Sequence, residues 1–247
     1  MPFKTPQIVQ VAVGSSATSP PTLRSVGRGS SIILLTAFYR AVNTGASEGP
    51  PTTSNPDSGA WITLTGARIA SLTEEVGGSC HYLGPPRCGG GDHTITPAAN
   101  TTWHATAIEV TGLSNQVAVG DGQAGSGHGG AVQNSETTNM SVTANTTSPF
   151  LGISFGFLKM DGAGIADVQW TDPPSGGYTT LQKGVACIAD VAFIHAYKII
   201  PVAADNTATI NWISGGVASS GWGMQGGFTA AQDFPALPAI SGGDLYL

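Results

Sequence analysis

The sequence predicts an all-β protein, an antiparallel β-sandwich of jelly-roll-like type with an extended N-terminal arm, and three observations predict it. Apolar residues recur at every second position in short runs, as at Ile153, Phe155 and Phe157 and again at Ala208, Ile210 and Trp212, the period of a half-buried strand. Turn formers separate the runs, supplied by 35 Gly and 16 Pro in 247 residues. Only 10% of the residues are charged, against about 25% in an ordinary domain, and no segment carries the apolar stripe and charged face of an amphipathic helix. Short strands between turns point to a sandwich or a barrel, and the sandwich is the fold class adopted. With 40% hydrophobic residues, the chain does not have the composition of a disordered one.

Taken in order, residues 1–30 are rich in Pro, Ser, Thr and Gly and hold one alternation, Ile8 to Val13. They read as the arm, carrying one strand, and residues 31–247 as a single sandwich domain. Ser31 to Arg40 is a short apolar run bounded by turn residues, which fits a strand buried on both faces. Asn43 to Ala60 reads as a surface loop. Trp61 to Thr65 alternates, with Ile62 and Leu64 on one face and a bulge or bend expected at Gly66. Strands follow at His93 to Thr96, Trp103 to Thr111 and Ser141 to Asn145. Between Val185 and Ile200 nearly every position is apolar and periodicity cannot arbitrate; the β-branched and aromatic content of Ala192 to Ile200 favours a strand there.

Charge narrows the function classes. The net charge is -6 and the nine basic residues are scattered singly, so a nucleic-acid partner is not expected. No apolar run approaches the roughly 20 residues of a membrane span, and the N-terminus lacks the pattern of a secretory signal.

Three patterns could carry chemistry. Gly152-Ile153-Ser154-Phe155-Gly156 matches the nucleophile elbow, but the elbow needs a strand, a sharp turn and a helix. Here the alternation runs on through Ser154, which places it in mid-strand. Gly125 to Gly130 matches a dinucleotide-binding glycine motif, yet no helix of useful length follows to aim its amides at a pyrophosphate; a glycine-dense loop from Gly120 is the simpler reading. The segment Cys80 to His93 gathers Cys80, His81, Cys88, Asp92 and His93. A disulfide between Cys80 and Cys88, two free thiols and a metal site are its three readings, and the spacing is not that of a zinc finger or knuckle. Cys187 reads as a small core residue.

Glu74 and Glu75 fall in an expected turn before Gly77 and Gly78, and Asp161, Asp167 and Asp172 sit beside Gly or Pro, where turns place Asp without any function. His104 and His195 lie in strand-like segments and read as hydrogen-bonded structural histidines. Acceptor patterns for N-glycosylation occur at Asn100, Asn139 and Asn145. No catalytic, cofactor or metal-binding residue is assigned, and no enzyme activity is expected.

The C-terminal half carries a resemblance. Ala196-Tyr197-Lys198 leading into Pro201, Asn206 to Trp212, and Gly221-Trp222-Gly223 to Phe228 resemble the closing strands of a β-sandwich module of bacteriophage virion proteins. Pro56 to Trp61, His93 to Thr96 and Glu109 to Gly112 are similar to its first-half turns. The resemblance spans about residues 30–231 and implies a structural role, in capsid decoration or in a head or tail fibre. It implies synthesis in a host cytoplasm, residence in the virion, contacts with other virion proteins and a homo-oligomeric state. The alternative is a carbohydrate-binding receptor module for a host surface glycan, with Trp61, Trp103, Trp170, Trp212 and Trp222 as candidate stacking faces.

Overall fold

The computed structural model describes residues 3–41, 49–70, 75–85, 87–98, 102–114, 135–142, 149–160, 169–170, 176–185, 191–200, 206–213 and 219–231. Among the described residues there are fifteen strands and no helix, and each strand pairs antiparallel with its neighbours. The fold class is therefore all-β, as the period-two runs predict.

Two sheets form the body. Sheet A is ordered β1 (Gln7–Ser15), β8 (Thr102–Thr111), β3 (Ser31–Arg40), β6 (Glu75–Leu83) and β5 (Ile62–Ala70). Sheet B is ordered β12 (Thr179–Val185), β13 (Val191–Ile200), β10 (Phe150–Met160) and β15 (Ser219–Thr229). Their facing sides make one core, in which Ile33, Leu35 and Ala37 of β3 and Ile108 and Val110 of β8 meet Ile153, Phe155 and Phe157 of β10 and Phe193 of β13. Each buried Phe, Ile or Leu in it contributes about 1.5–3 kcal/mol. The alternation of β10 places three of its apolar residues on this one face, as the period requires.

A third, smaller sheet covers the other side of sheet A. It consists of β2 (Thr22–Val26), β7 (Gly91–Thr96) and β4 (Thr52–Thr53). Leu23, Val26 and Ile95 from it pack on Ile32, Leu34 and Phe38 of β3 and on Trp103 of β8. Strand β3 is thus hydrogen-bonded on both edges, to β6 and β8, and covered on both faces; every residue in it except Tyr39 is buried. Its continuous apolar run, without alternation, has this cause. A fourth sheet, β11 (Gln169–Trp170), β14 (Asn206–Ile213) and β9 (Ser135–Val142), approaches sheet B through β14 against β10 and β9 against β15.

Several elements differ from their expected form. Residues 1–30 hold two strands, not one: β1 is the edge strand of sheet A, and β2 pairs with β7. The irregularity in β5 falls between Thr63 and Thr65, and the strand runs on through Gly66. β9 ends at Val142, so the strand expected from Ser141 begins earlier, at Ser135; residues 143–148 lie outside the described set.

The largest difference is β6, which begins at Glu75, where a turn was expected at Glu74 and Glu75 before Gly77 and Gly78. All nine of its residues are buried. Gly78 is needed there because a Cβ would stand 2.9 Å from Phe157 Cδ1 and 3.0 Å from the Thr36 carbonyl oxygen; its missing side chain is the space the Phe157 ring occupies. Glu75 is neutralised by Arg40, directly opposite on β3. Glycine and an acid, read locally, are turn signals, and both are overridden here by packing between sheets.

Candidate functional site

The segment with the densest chemical potential, Cys80 to His93, is divided by the sheet it belongs to. Cys80 points into the core between sheets A and B, whereas Cys88 lies in the cluster on the opposite side of sheet A. Both thiols are free and buried. Of the three readings for the pair, this structure has the two free thiols. Burial pushes the Cys80 thiol far above its ordinary value. Cys88 is pushed up to about 11, by burial first and the nearby Glu109 second, so neither is an activated nucleophile.

The two histidines of the segment are spent on hydrogen bonds. His81 Nε2 is 2.8 Å from Ser79 Oγ and its Nδ1 is 3.1 Å from Thr63 Oγ1, while Ser79 Oγ is 2.6 Å from Thr36 Oγ1. Burial lowers His81 to about 4, so at neutral pH it is an uncharged imidazole linking three strands. His93 donates from Nε2 to the Gly89 carbonyl at 2.7 Å, and its Nδ1 is 3.1 Å from Thr53 Oγ1. Asp92, exposed, takes Arg24 Nη1 at 2.7 Å and the Ser25 amide at 2.8 Å. That amide belongs to a β2 bulge in which Ser25 has φ 49°, a left-handed conformation that the carboxylate helps to hold. Among the described residues no group of three or more His, Cys, Asp or Glu is gathered as a metal site would require.

Ser154 occupies the middle of β10, fully buried, and the strand continues through it to Met160. The turn and helix of a nucleophile elbow are not there. The glycine motif Gly125 to Gly130, Cys187 and the residues Glu74, Asp161, Asp167, Asp172, Asn100 and Asn145 lie outside the described residues. Trp103 is core, and Trp61 packs half-buried against the same cluster. Trp170 and Trp212 hold paired register positions on β11 and β14, and Trp222 stands opposite Phe157 on β15.

His195 is a fully buried polar group between the sheets. Thr106 Oγ1 donates to Gln182 Oε1 at 2.7 Å and so must accept from His195 Nδ1–H at 2.8 Å. This fixes the tautomer and leaves Nε2 as a buried acceptor without a partner. His195 is lowered to about 3, by burial and then by His104. His104 stacks on Phe193, with ring centroids 4.9 Å apart. Both histidines thus sit where a structural role places them.

Two surface features have no such internal explanation. One is the outer strand of sheet A. In β1 the side chains of Val9, Val11 and Val13 are 54%, 41% and 53% exposed, and among the described residues β1 pairs with β8 alone. Between Lys4 and Arg24 the chain carries no charge. A sheet edge normally carries Lys, Pro or a covering loop to prevent pairing with another chain. The other is an open cleft at one end of sheet A, between the N-terminal segment, the β2–β3 turn and the end of β8.

Comparison of the chain with protein-family models, with curated proteins and with solved structures finds no match to any of them.

Proposed function

We propose that the protein is a structural component of a bacteriophage particle, a capsid-decoration or fibre protein that stabilises the particle through contacts with other virion proteins and with copies of itself. The observation that carries the assembly role is the row Val9, Val11 and Val13 on the uncharged edge strand β1. Three exposed valines on a strand that pairs with β8 alone among the described residues offer apolar area on a sheet edge, the two components of strand addition. The low charge of the chain acts in the same direction, because surfaces with few ions bury against a partner without a large desolvation cost. The assignment to a phage particle rests on the resemblance of the C-terminal half to virion sandwich modules. No catalytic step belongs to this reading.

The test is Val11→Lys, a charge at the middle of the edge. The wild-type chain is expected to sediment as a multimer or with particles. The variant is expected to be released while its melting temperature stays within a few degrees of wild type, since Val11 is on the surface. A wild-type chain that sediments as a monomer and does not associate with particles would overturn the proposal.

A further inference from the structure

We infer that the cleft at the end of sheet A binds an acidic saccharide, a short oligosaccharide carrying a carboxylate. The cleft has a volume of about 780 Å³ and is lined by Phe3, Lys4, Thr5, Arg28 and Thr111 among others. Such a volume falls in the range of about 300–1,000 Å³ typical of small-ligand sites. Three separate segments build it, and each is tied down. The Lys4 amide donates to the Ala231 carbonyl at 2.9 Å, and the Ala231 amide to the Gly112 carbonyl at 2.7 Å. The β2–β3 turn is held from below by the buried Glu109, which accepts from the Gly27 amide at 2.9 Å and from Ser30 Oγ at 2.7 Å.

Charge selects the ligand. Lys4 and Arg28 are both exposed, in a protein of net charge -6, and neither has a carboxylate partner among the described residues; the ion pairs there are Arg24–Asp92 and Arg40–Glu75. Arg28 is also propped. Its Cγ lies 2.8 Å from where a Cβ on Gly90 would stand, so the stem rests on the bare Gly90 backbone. Two cations at one cleft, neither paired with a carboxylate among the described residues, suit an external anion.

The remaining lining favours a sugar over a simple anion. The Thr5 and Thr111 hydroxyls and the Gln7 amide can exchange hydrogen bonds with sugar hydroxyls, and the half-buried Phe3 ring offers an apolar face for the C–H side of a pyranose. Gly29, at φ 86°, has nothing within 4 Å of its missing Cβ among the described residues. This inference is independent of the assembly role assigned to β1.

The experiment is calorimetric titration of the full chain with trigalacturonate in low-salt buffer. Binding is expected, weakening as salt rises, with at least a tenfold loss in Lys4→Ala and in Arg28→Ala. Gly90→Ala, which displaces Arg28 without touching the ligand, is expected to weaken binding less than Arg28→Ala. Lys198→Ala, away from the cleft, is expected to leave affinity unchanged, and so is Val11→Lys, which separates this site from the assembly edge. All variants are to show wild-type melting. Failure of trigalacturonate to bind, or equal binding by Arg28→Ala, would overturn the inference. So would equal affinity for its neutral methyl ester, for inorganic sulfate or for a pentaglutamate peptide.

Discussion

Arg40 and Glu75 face each other across β3 and β6, Nη1 to Oε2 at 3.3 Å, with the glutamate side chain fully buried and the arginine 9% exposed. The guanidinium also lies over the Phe38 ring, 4.9 Å from its centroid, so one cation serves an acid and an aromatic face together. Removing the arginine leaves a carboxylate in a closed core. Arg40→Met is expected to lower unfolding free energy by about 3–5 kcal/mol. The double variant Arg40→Met with Glu75→Leu should recover much of that loss. Urea denaturation measures both, and equal loss in the two variants would refute the account.

The buried histidines make stability depend on pH with a definite sign. His81 and His195 titrate at about 4 and about 3 in the folded chain, against about 6.5 unfolded. Below 6.5 the unfolded chain takes up protons that the folded one refuses. Stability is therefore fully present above about 6.5 and falls as pH drops from there towards 4, by at most about 1.4 kcal/mol per pH unit for each imidazole. Urea midpoints at three pH values across this window are expected to fall, and to fall less in His195→Gln. An unchanged slope in that variant would remove His195 from the explanation.

Gly78 and Phe157 are a fitted pair. Gly78→Ala places a methyl 2.9 Å from the Phe157 ring and is expected to cost about 1–3 kcal/mol as overpacking. Phe157→Leu in the same chain should return part of it. A thermal melt of the two variants tests this, and an undiminished melting temperature in Gly78→Ala would show that the sheets can part to admit the methyl.

Free, buried thiols with raised pKa values are slow to react. Cys80 and Cys88 are expected to resist maleimide in the native protein and to label together once the chain is unfolded without reductant. Peptide mass spectrometry reads this directly. A Cys80–Cys88 bridge in the non-reduced digest would contradict the separate placement of the two thiols.

What could be read in advance was what is local. The alternation of Ile153, Phe155 and Phe157 comes from a strand that turns its apolar side chains to one core, although Ser154 on its other face is buried as well, contrary to the half-buried strand expected; the unbroken apolar run of β3 comes from burial on both faces. β6 could not be read in this way. Its glycine is explained by Phe157 and its acid by Arg40, residues far off in the chain that only the sheet brings near. The same holds for the two surface features. The alternation Ile8 to Val13 shows a strand, but not that it ends a sheet. Lys4, Arg28 and Thr111 are isolated residues in sequence, and the cleft exists only once three segments are assembled.

The position of β3 bears on how the chain is made. Its two hydrogen-bonding neighbours, β6 and β8, are both encoded after it, the second ending at Thr111. During synthesis this strand therefore emerges from the ribosome early, with one edge unpaired until β8 has been completed and the face towards sheet B bare until β10 and β13 follow. Pairings of such sequence separation close slowly, and exposed apolar strands are prone to aggregate while they wait. A strand enclosed on both faces in the finished molecule is thus exposed on the way there, and a nascent chain stalled before residue 111 is where a chaperone would find it.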